Sequence, residues 1–375
     1  MVYSEYPNQE TKRREFFTFN FSFFKTISMR KIVKQVAAID VDQKSLVTTL
    51  GRMYDDWSPE LYAHKTFANT QKGFEAFLAW VKNNKMNEVP VRFVMEATGV
   101  YHEGLAYFLD DHAEEVTIVL PNKISNYMRT LEIKTITDKT ASEAIARFGL
   151  ERKLELWKRP KDIYKKLRQL SRERDQLVVE RTMVKNQLHA EKAEAEPNKS
   201  SIIRIKARIK MLEKQEQEIR AELSTLVASN DEVKQIVVLL CSLTGVGILT
   251  AATVLGETNG FELIRNRRQL ASYAGFDVKE KQSGTSVKGK PRISKKGNKY
   301  LRKAMHLPAL CAIKHDERYK AIFARIVSKH GIKMKAAVAV QRKLLEMMFT
   351  LYKTNTKYDK EYLINKAAHT TTLSI

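Results

Sequence analysis

The chain has 375 residues, 43% hydrophobic and 29% charged, a balance that suits folded protein with room for two or three domains. Its 66 Lys+Arg against 43 Asp+Glu leave a formal charge of +23, which points to a polyanion, nucleic acid above all, with a generally basic surface as the plain alternative. The two cysteines, Cys241 and Cys311, lack CxxC spacing and so argue against a zinc site or a disulfide framework, fitting a reducing cytoplasm; no apolar run of about 18 residues predicts a membrane span.

The N-terminal segment "RREFFTFNFSFF" holds six of the sixteen Phe. It has a basic front but no small-residue cleavage site, which excludes a signal peptide. Residues 1–28 are expected to be a poorly ordered extension, with the domain proper starting at Met29.

From 34 to 150 the pattern alternates. "QVAAIDV", "KSLVTTLG", "VRFVMEAT" and "EVTIVLP" read as strands, while "QKGFEAFLAWVKNN" and "YHEGLAYFLDDHA" read as amphipathic helices. Two strands followed by alternating helix and strand predict an α/β domain with a mixed, largely buried sheet. Asp40 lies inside the apolar strand "VAAIDV", Glu96 ends "VRFVMEATG", and Asp138 opens a helix after Thr137. Two acids on strands and one at a helix start is the arrangement that holds magnesium in ribonuclease-H-like folds. Carboxylates about 4 Å apart repel by roughly 4 kcal/mol at an effective dielectric of 20, which a hard divalent cation, Mg2+ or Mn2+, removes. Each acid has a plain alternative: Asp138 as a helix cap, Asp40 before a turn, Glu96 as the cap of the next helix.

Residues 162–228 contain no glycine and one proline. Leu167, Leu170, Leu177, Val184 and Leu188, then Ile202, Ile205, Ile209, Leu212, Ile219, Leu223 and Leu226, recur at helical spacing about a turn at Pro197 and Asn198. This predicts an antiparallel coiled-coil hairpin, either a dimerisation arm or an intrachain spacer. Arg174 and Arg181 occupy seam positions and call for acidic neighbours or partner helices.

Residues 232–350 read as helical, with a basic insert at 281–303. "LTGVGILTAA" reads as a helix-hairpin-helix turn, in which Gly245 and Gly247 allow close backbone approach to a phosphate; tight helix packing is the alternative. Lys281, Lys288, Lys290, Arg292, Lys295, Lys296, Lys299, Arg302 and Lys303 form a run suited to phosphate contacts, or a solvated loop.

"AIDVDQKS", "MEATGVY" and "KTITDKTASEAIARFG" closely resemble the three acidic motifs of the DEDD transposases of insertion-sequence family 110, relatives of Piv-type DNA invertases. "LTGVGILTAATVLGET", "LIRNRRQLASYAGF" and "KQSGTSVKGKPRISKKGNKYLRKAM" resemble that family's second characteristic region, so the likeness spans about residues 33–350. The resemblance implies a RuvC-like domain over 29–155, a coiled-coil linker over 156–230, a helical transposase domain over 231–353 and a tail over 354–375. Asp40, Glu96 and Asp138 then stand as the first three acids. The fourth position is Ala141 here, so catalysis by this chain is expected to be absent or strongly reduced, through substitution or through decay of a mobile element. Glu143 lies about 140° around a helix from Asp138 and is not expected to replace the lost ligand. The resemblance further implies a serine nucleophile, Ser283 of "KQSG", with Ser294 and Ser286 as rivals. It also implies double-stranded target and donor DNA, a structured bridge RNA, and a homodimer assembling to a tetramer in a prokaryotic cytoplasm. A RuvC-like endonuclease using water, and a non-enzymatic nucleic-acid-binding protein, are the alternatives.

Overall fold

In a computed structural model the chain divides into two units, residues 1–159 and 160–375. The structure describes residues 30–86, 89–131, 133, 135–280, 282–283, 287–289 and 292–361, with backbone alone at 282, 283, 287 and 288. Expectations for residues 1–28 and for Lys281, Ser286, Lys290 and most of the tail lie outside the described residues.

The first unit is built on β1 (Ile32–Val41), β2 (Ser45–Tyr54), β3 (Pro59–Ala68), β4 (Val91–Glu96) and β5 (Glu115–Val119). Their order across the sheet is β3-β2-β1-β4-β5. β1 runs antiparallel to β2 and parallel to β4; β2 pairs antiparallel with β3, and β4 parallel with β5. This is a ribonuclease-H-like, RuvC-like arrangement: a three-stranded meander extended by two crossover strands. β3 is an addition to the sequence reading, which has two strands before the first helix. "PELYAHKTFA" sits at the sheet edge, where only Phe67 is buried, so no apolar alternation marks it.

Helices cover both faces. α1 (Gln71–Asn84) and α2 (Glu103–Asp111) pack with Ala37, Ile39, Val41, Phe93 and Met95. α3 (Pro121–Met128), a 3-10 turn over Arg129–Leu131 and α4 (Asp138–Glu151) come after β5, and the opposite face joins Val36, Ala38 and Val94 to Ile124 and Ile145. Both sides of β1 are therefore apolar and buried, as the run "QVAAI" requires.

The second unit begins with α5 (Asp162–Ala193) and α6 (Lys199–Ala228), two long helices folded into an antiparallel hairpin, with α6 opened by the Asn198 cap. The base of the hairpin shares one core with the C-terminal helices, since Tyr164, Leu167, Ile219, Leu223 and Val227 pack with Val237, Leu255 and Leu344. The acid demanded by the seam arginines is Glu216. Arg174, Arg181 and Arg220 all hydrogen-bond its buried carboxylate. Burial would raise this carboxyl, but hydrogen bonds from Arg220 and Arg174 and the charges of Arg174 and Arg181 hold it below the usual carboxylate range.

Then come α7 (Asp231–Cys241), α8 (Ile248–Thr258), α9 (Arg267–Tyr273) and four two-residue strands. These strands are β6 (Val278–Lys279), β7 (Gln282–Ser283), β8 (Val287–Lys288) and β9 (Arg292–Ile293), paired β6–β9 and β7–β8. α10 (Lys299–Ala304), α11 (His306–His315), α12 (Glu317–His330) and α13 (Lys333–Thr354) complete the unit. Among the described residues no helix is long and apolar enough to cross a membrane.

Candidate active site

Strand periodicity brings the first two acids together. Along β1 the residues Val36 and Ala38 face α4, and Asp40 follows on the same side. Along β4, Val94 faces α4 and Glu96 follows it. β1 and β4 pair in parallel with Ile39 opposite Met95, so one residue further on Asp40 and Glu96 are neighbours at the C-terminal ends of these strands. Asp138 arrives from α4. That helix lies close on the sheet because its inner face is small: at Gly149 an added Cβ would meet Val36 at 3.0 Å and Val94 at 3.2 Å. Its cap is Thr137, whose hydroxyl accepts from the Thr140 N–H at 3.2 Å in a capping box. Asp138 is thus free of capping duty. Likewise the N-cap position of α2 is His102, not Glu96.

Asp40 feels both its burial and the neighbouring acids. Burial, then the charges of Glu96, Asp138 and Asp42, push the Asp40 carboxyl up to about 6 from its ordinary 3.8. Burial also raises Glu96, opposed by a hydrogen bond from the Thr98 side chain. No described salt bridge reaches any of the three. The donor set therefore suits a hard cation: three carboxylates, two of them half-buried, lacking a cationic partner among the described salt bridges. Among the described residues no group of three His, Cys, Asp or Glu side chains is gathered tightly enough to hold a metal ion. Ala141 follows Asp138 by three residues, on the same face of α4, and presents only a methyl group.

Two features escape the sequence reading. Asp42, just past the end of β1, adds to the charge felt by Asp40. Beneath α4, the buried hydroxyls of Ser142 and Thr49 are 2.7 Å apart, and Thr49 Oγ1 is 3.1 Å from His64 Nδ1. Ser142 Oγ donates to the Lys139 carbonyl at 2.8 Å, so the chain ties the first turn of α4 to β2 and β3. Isolated Ser and Thr in apolar segments carry no signal of such pairing.

In the second unit Ser283 lies in β7, with its backbone opposite Val287 of β8. Ser294 follows β9, and its hydroxyl donates to Asp277 Oδ1 at 2.6 Å while accepting from the Lys296 N–H at 3.2 Å. Ser294 thus anchors the turn that carries Lys295 and Gly297, both at positive φ. Arg292, Lys295, Lys296 and Lys299 are exposed. Arg302 instead donates through Nη1 to the carbonyls of Ala274, Gly297 and Asn298, and Lys303 pairs with Asp175. Behind them Glu257, on α8, accepts from Arg172 Nε and Nη2 at 2.7 and 2.8 Å and from Asn298 Nδ2 at 2.6 Å. The two glycines of the α7–α8 turn differ. Gly245 has φ +88°, and a Cβ there would sit 2.6 Å from the Pro308 carbonyl oxygen, which is the tight-packing alternative. Gly247 caps α8 and faces open space.

Two family models match the chain, "Transposase" (DEDD_Tnp_IS110) over residues 53–191 and "Transposase IS116/IS110/IS902 family" over residues 237–324, together more than half its length. The pilin gene-inverting protein of Moraxella bovis is 28% identical over 300 residues, covering 79% of this chain and 90% of that protein. The protein of the same name from Moraxella lacunata is 28% identical over 303 residues, with the same coverage. Among solved structures, T. thermophilus RuvC in complex with Holliday junction substrate aligns over 33% of this chain and 99% of that one, at 10% identity and a TM-score of 0.25. So low a score carries no weight, and the fold assignment rests on the strand order.

Proposed function

Given that the chain belongs to the IS110 family of transposases and recombinases, we propose that it is built to cut and rejoin DNA, using the acids of its first unit and a serine of its second. The observation that carries this reading is Asp40, paired in register beside Glu96 and raised to about 6 by burial first and then by the charges of Glu96, Asp138 and Asp42, without a described cationic partner. Such an arrangement is costly to a fold and useful to a reaction.

Asp40, Glu96 and Asp138 would hold a divalent cation, Mg2+ or Mn2+. Once bound, it supplies stabilisation of charge developing on the scissile phosphate. Ser283 is the nucleophile in this reading, attacking phosphorus to leave a phosphoserine link and a free 3′ or 5′ hydroxyl. Exposed Arg292, Lys295, Lys296 and Lys299 would hold the DNA backbone. Ser294 serves as a turn anchor, its hydroxyl committed to Asp277. The α5–α6 hairpin is a coiled-coil arm through which copies of the chain pair, first as a dimer and then as a tetramer. A bridge RNA pairs with target and donor and supplies sequence choice.

Ala141 removes the fourth acid, so the chain as it stands binds nucleic acid but cuts poorly. The test is Ala141→Asp, assayed with Mg2+ on DNA carrying candidate junctions together with any RNA that copurifies. A covalent protein–DNA adduct that is lost in Ser283→Ala and kept in Ser294→Ala is expected. Cleavage without an adduct would favour a water nucleophile. No cleavage under any of these conditions would leave a binding protein only.

A further inference from the structure

A cavity of about 660 Å³ lies within the second unit, between α5 and α6 at the hairpin base and α8, α10 and α11. We propose that it is a binding site for one nucleotide of a nucleic-acid strand, held by its phosphate. The inference rests on the nucleic-acid reading above and adds to it a site distinct from the carboxylates and the serine.

Charge is the first argument. The wall contains Arg172, Arg174, Arg220, Arg302 and Lys303, and among the described residues the carboxylates that pair with them are Asp175, Glu216 and Glu257. Glu257 is fully used by Arg172 and Asn298, and Glu216 is shared among three arginines. Arg302 has no carboxylate partner among the described residues, only backbone carbonyls. The excess of positive charge in a concave wall is what an anion requires.

The second argument is Ser171. It is 6% exposed, lines the cavity, and its hydroxyl has no hydrogen-bond partner among the described residues. A buried hydroxyl without a partner is unfavourable. The hydroxyl is sealed from water in this conformation, and rotation about χ1 would be needed to present it to a phosphate oxygen in the cavity. The third argument is shape. Leu249, Leu307 and Pro308 add an apolar wall to the basic one, and the volume falls in the range of about 300–1,000 Å³ typical of ligand cavities. An inorganic phosphate would leave that wall unused; a nucleotide offers a base to it. Leu307 is 73% exposed although it lines the cavity, which places it at the mouth.

The test measures binding of a fluorescent single-stranded oligothymidylate of about 12 nucleotides by anisotropy on the full chain. It compares the unmodified protein with Leu307→Trp, which narrows the mouth at an exposed position, and with Ser171→Ala, which removes a hydroxyl that makes no internal bond. Thermal unfolding confirms that both variants are folded. Leu307→Trp is expected to weaken binding about tenfold and Ser171→Ala about three- to fivefold. Thymidine monophosphate competes in a second arm and is expected to displace the strand only weakly. Undiminished strand binding by folded Leu307→Trp and Ser171→Ala would overturn the cavity while leaving the nucleic-acid reading intact. Failure of the unmodified protein to bind any strand would overturn both. Tight displacement by the free monophosphate, lost in Leu307→Trp, would assign the cavity to free nucleotides and overturn the strand assignment.

Discussion

Replacing Asp40 by Asn removes the charge that burial and the neighbouring acids both oppose. Asn keeps the shape of the side chain and removes its charge. A carboxyl held at about 6 rather than 3.8 corresponds to about 3 kcal/mol in full. Asp40 is only half-buried, so water screens part of this, and ~1–2 kcal/mol is the expected effect. The sign follows from the direction of the shift. The folded chain binds this proton more tightly than the unfolded chain does, so the stability contributed is fully present below about pH 4 and is lost as pH rises through about 6. Asp40→Asn should therefore be more stable than the unmodified chain at about pH 7.5, and the gap should close by about pH 4. Urea unfolding with a chelator present, followed at several pH values, reads this directly. Millimolar Mg2+ should then stabilise the unmodified chain at neutral pH and leave Asp40→Asn almost unchanged. An Asn variant less stable at neutral pH, or a gap that ignores pH, would refute the raised Asp40 carboxyl.

Other outcomes test separate parts of the molecule. Glu216→Ala should destabilise the second unit by roughly 2–4 kcal/mol in urea unfolding, because it leaves Arg174, Arg181 and Arg220 facing one another without their shared carboxylate. The low Glu216 pKa means that this contribution is present at neutral pH and disappears as the solution is acidified below the usual carboxylate range. Gly245→Ala should lose about 1–3 kcal/mol through strain at φ +88° and the Pro308 carbonyl, whereas Gly247→Ala, with open space around it, should change stability little. DNA binding should weaken steeply with salt; if about five phosphates are neutralised, a plot of log K against log salt falls with a slope of about −4 to −5. A flat plot would show that the basic residues stay with water.

The expected helix over 71–84 matches α1, and the strands carrying Asp40 and Glu96 match β1 and β4 to within a few residues. Those segments are legible because burial on both faces of a strand, or on one face of a helix, imposes a strict apolar pattern. β3 fails the same test at the sheet edge, where solvent reaches most of its side chains and no pattern is enforced. The seam arginines show an intermediate case: their spacing announces a demand for negative charge, but Glu216 meets it from a helix 35 or more residues away.

By itself the sequence determined the family of this protein, the order of its elements and the acids and serines worth watching, since each is written in local pattern or motif. Only the tertiary structure decided that Asp40 and Glu96 meet at neighbouring strand ends within the field of Asp138, that Thr137 and not Asp138 caps α4, and that Gly245 is taken up by packing. It also brought together Ser171, the excess arginines and the apolar mouth of the cavity in the second unit. The division has one physical cause. Charge and hydrogen bonding act over a few ångströms in space, and chain folding alone determines which distant residues come within that range.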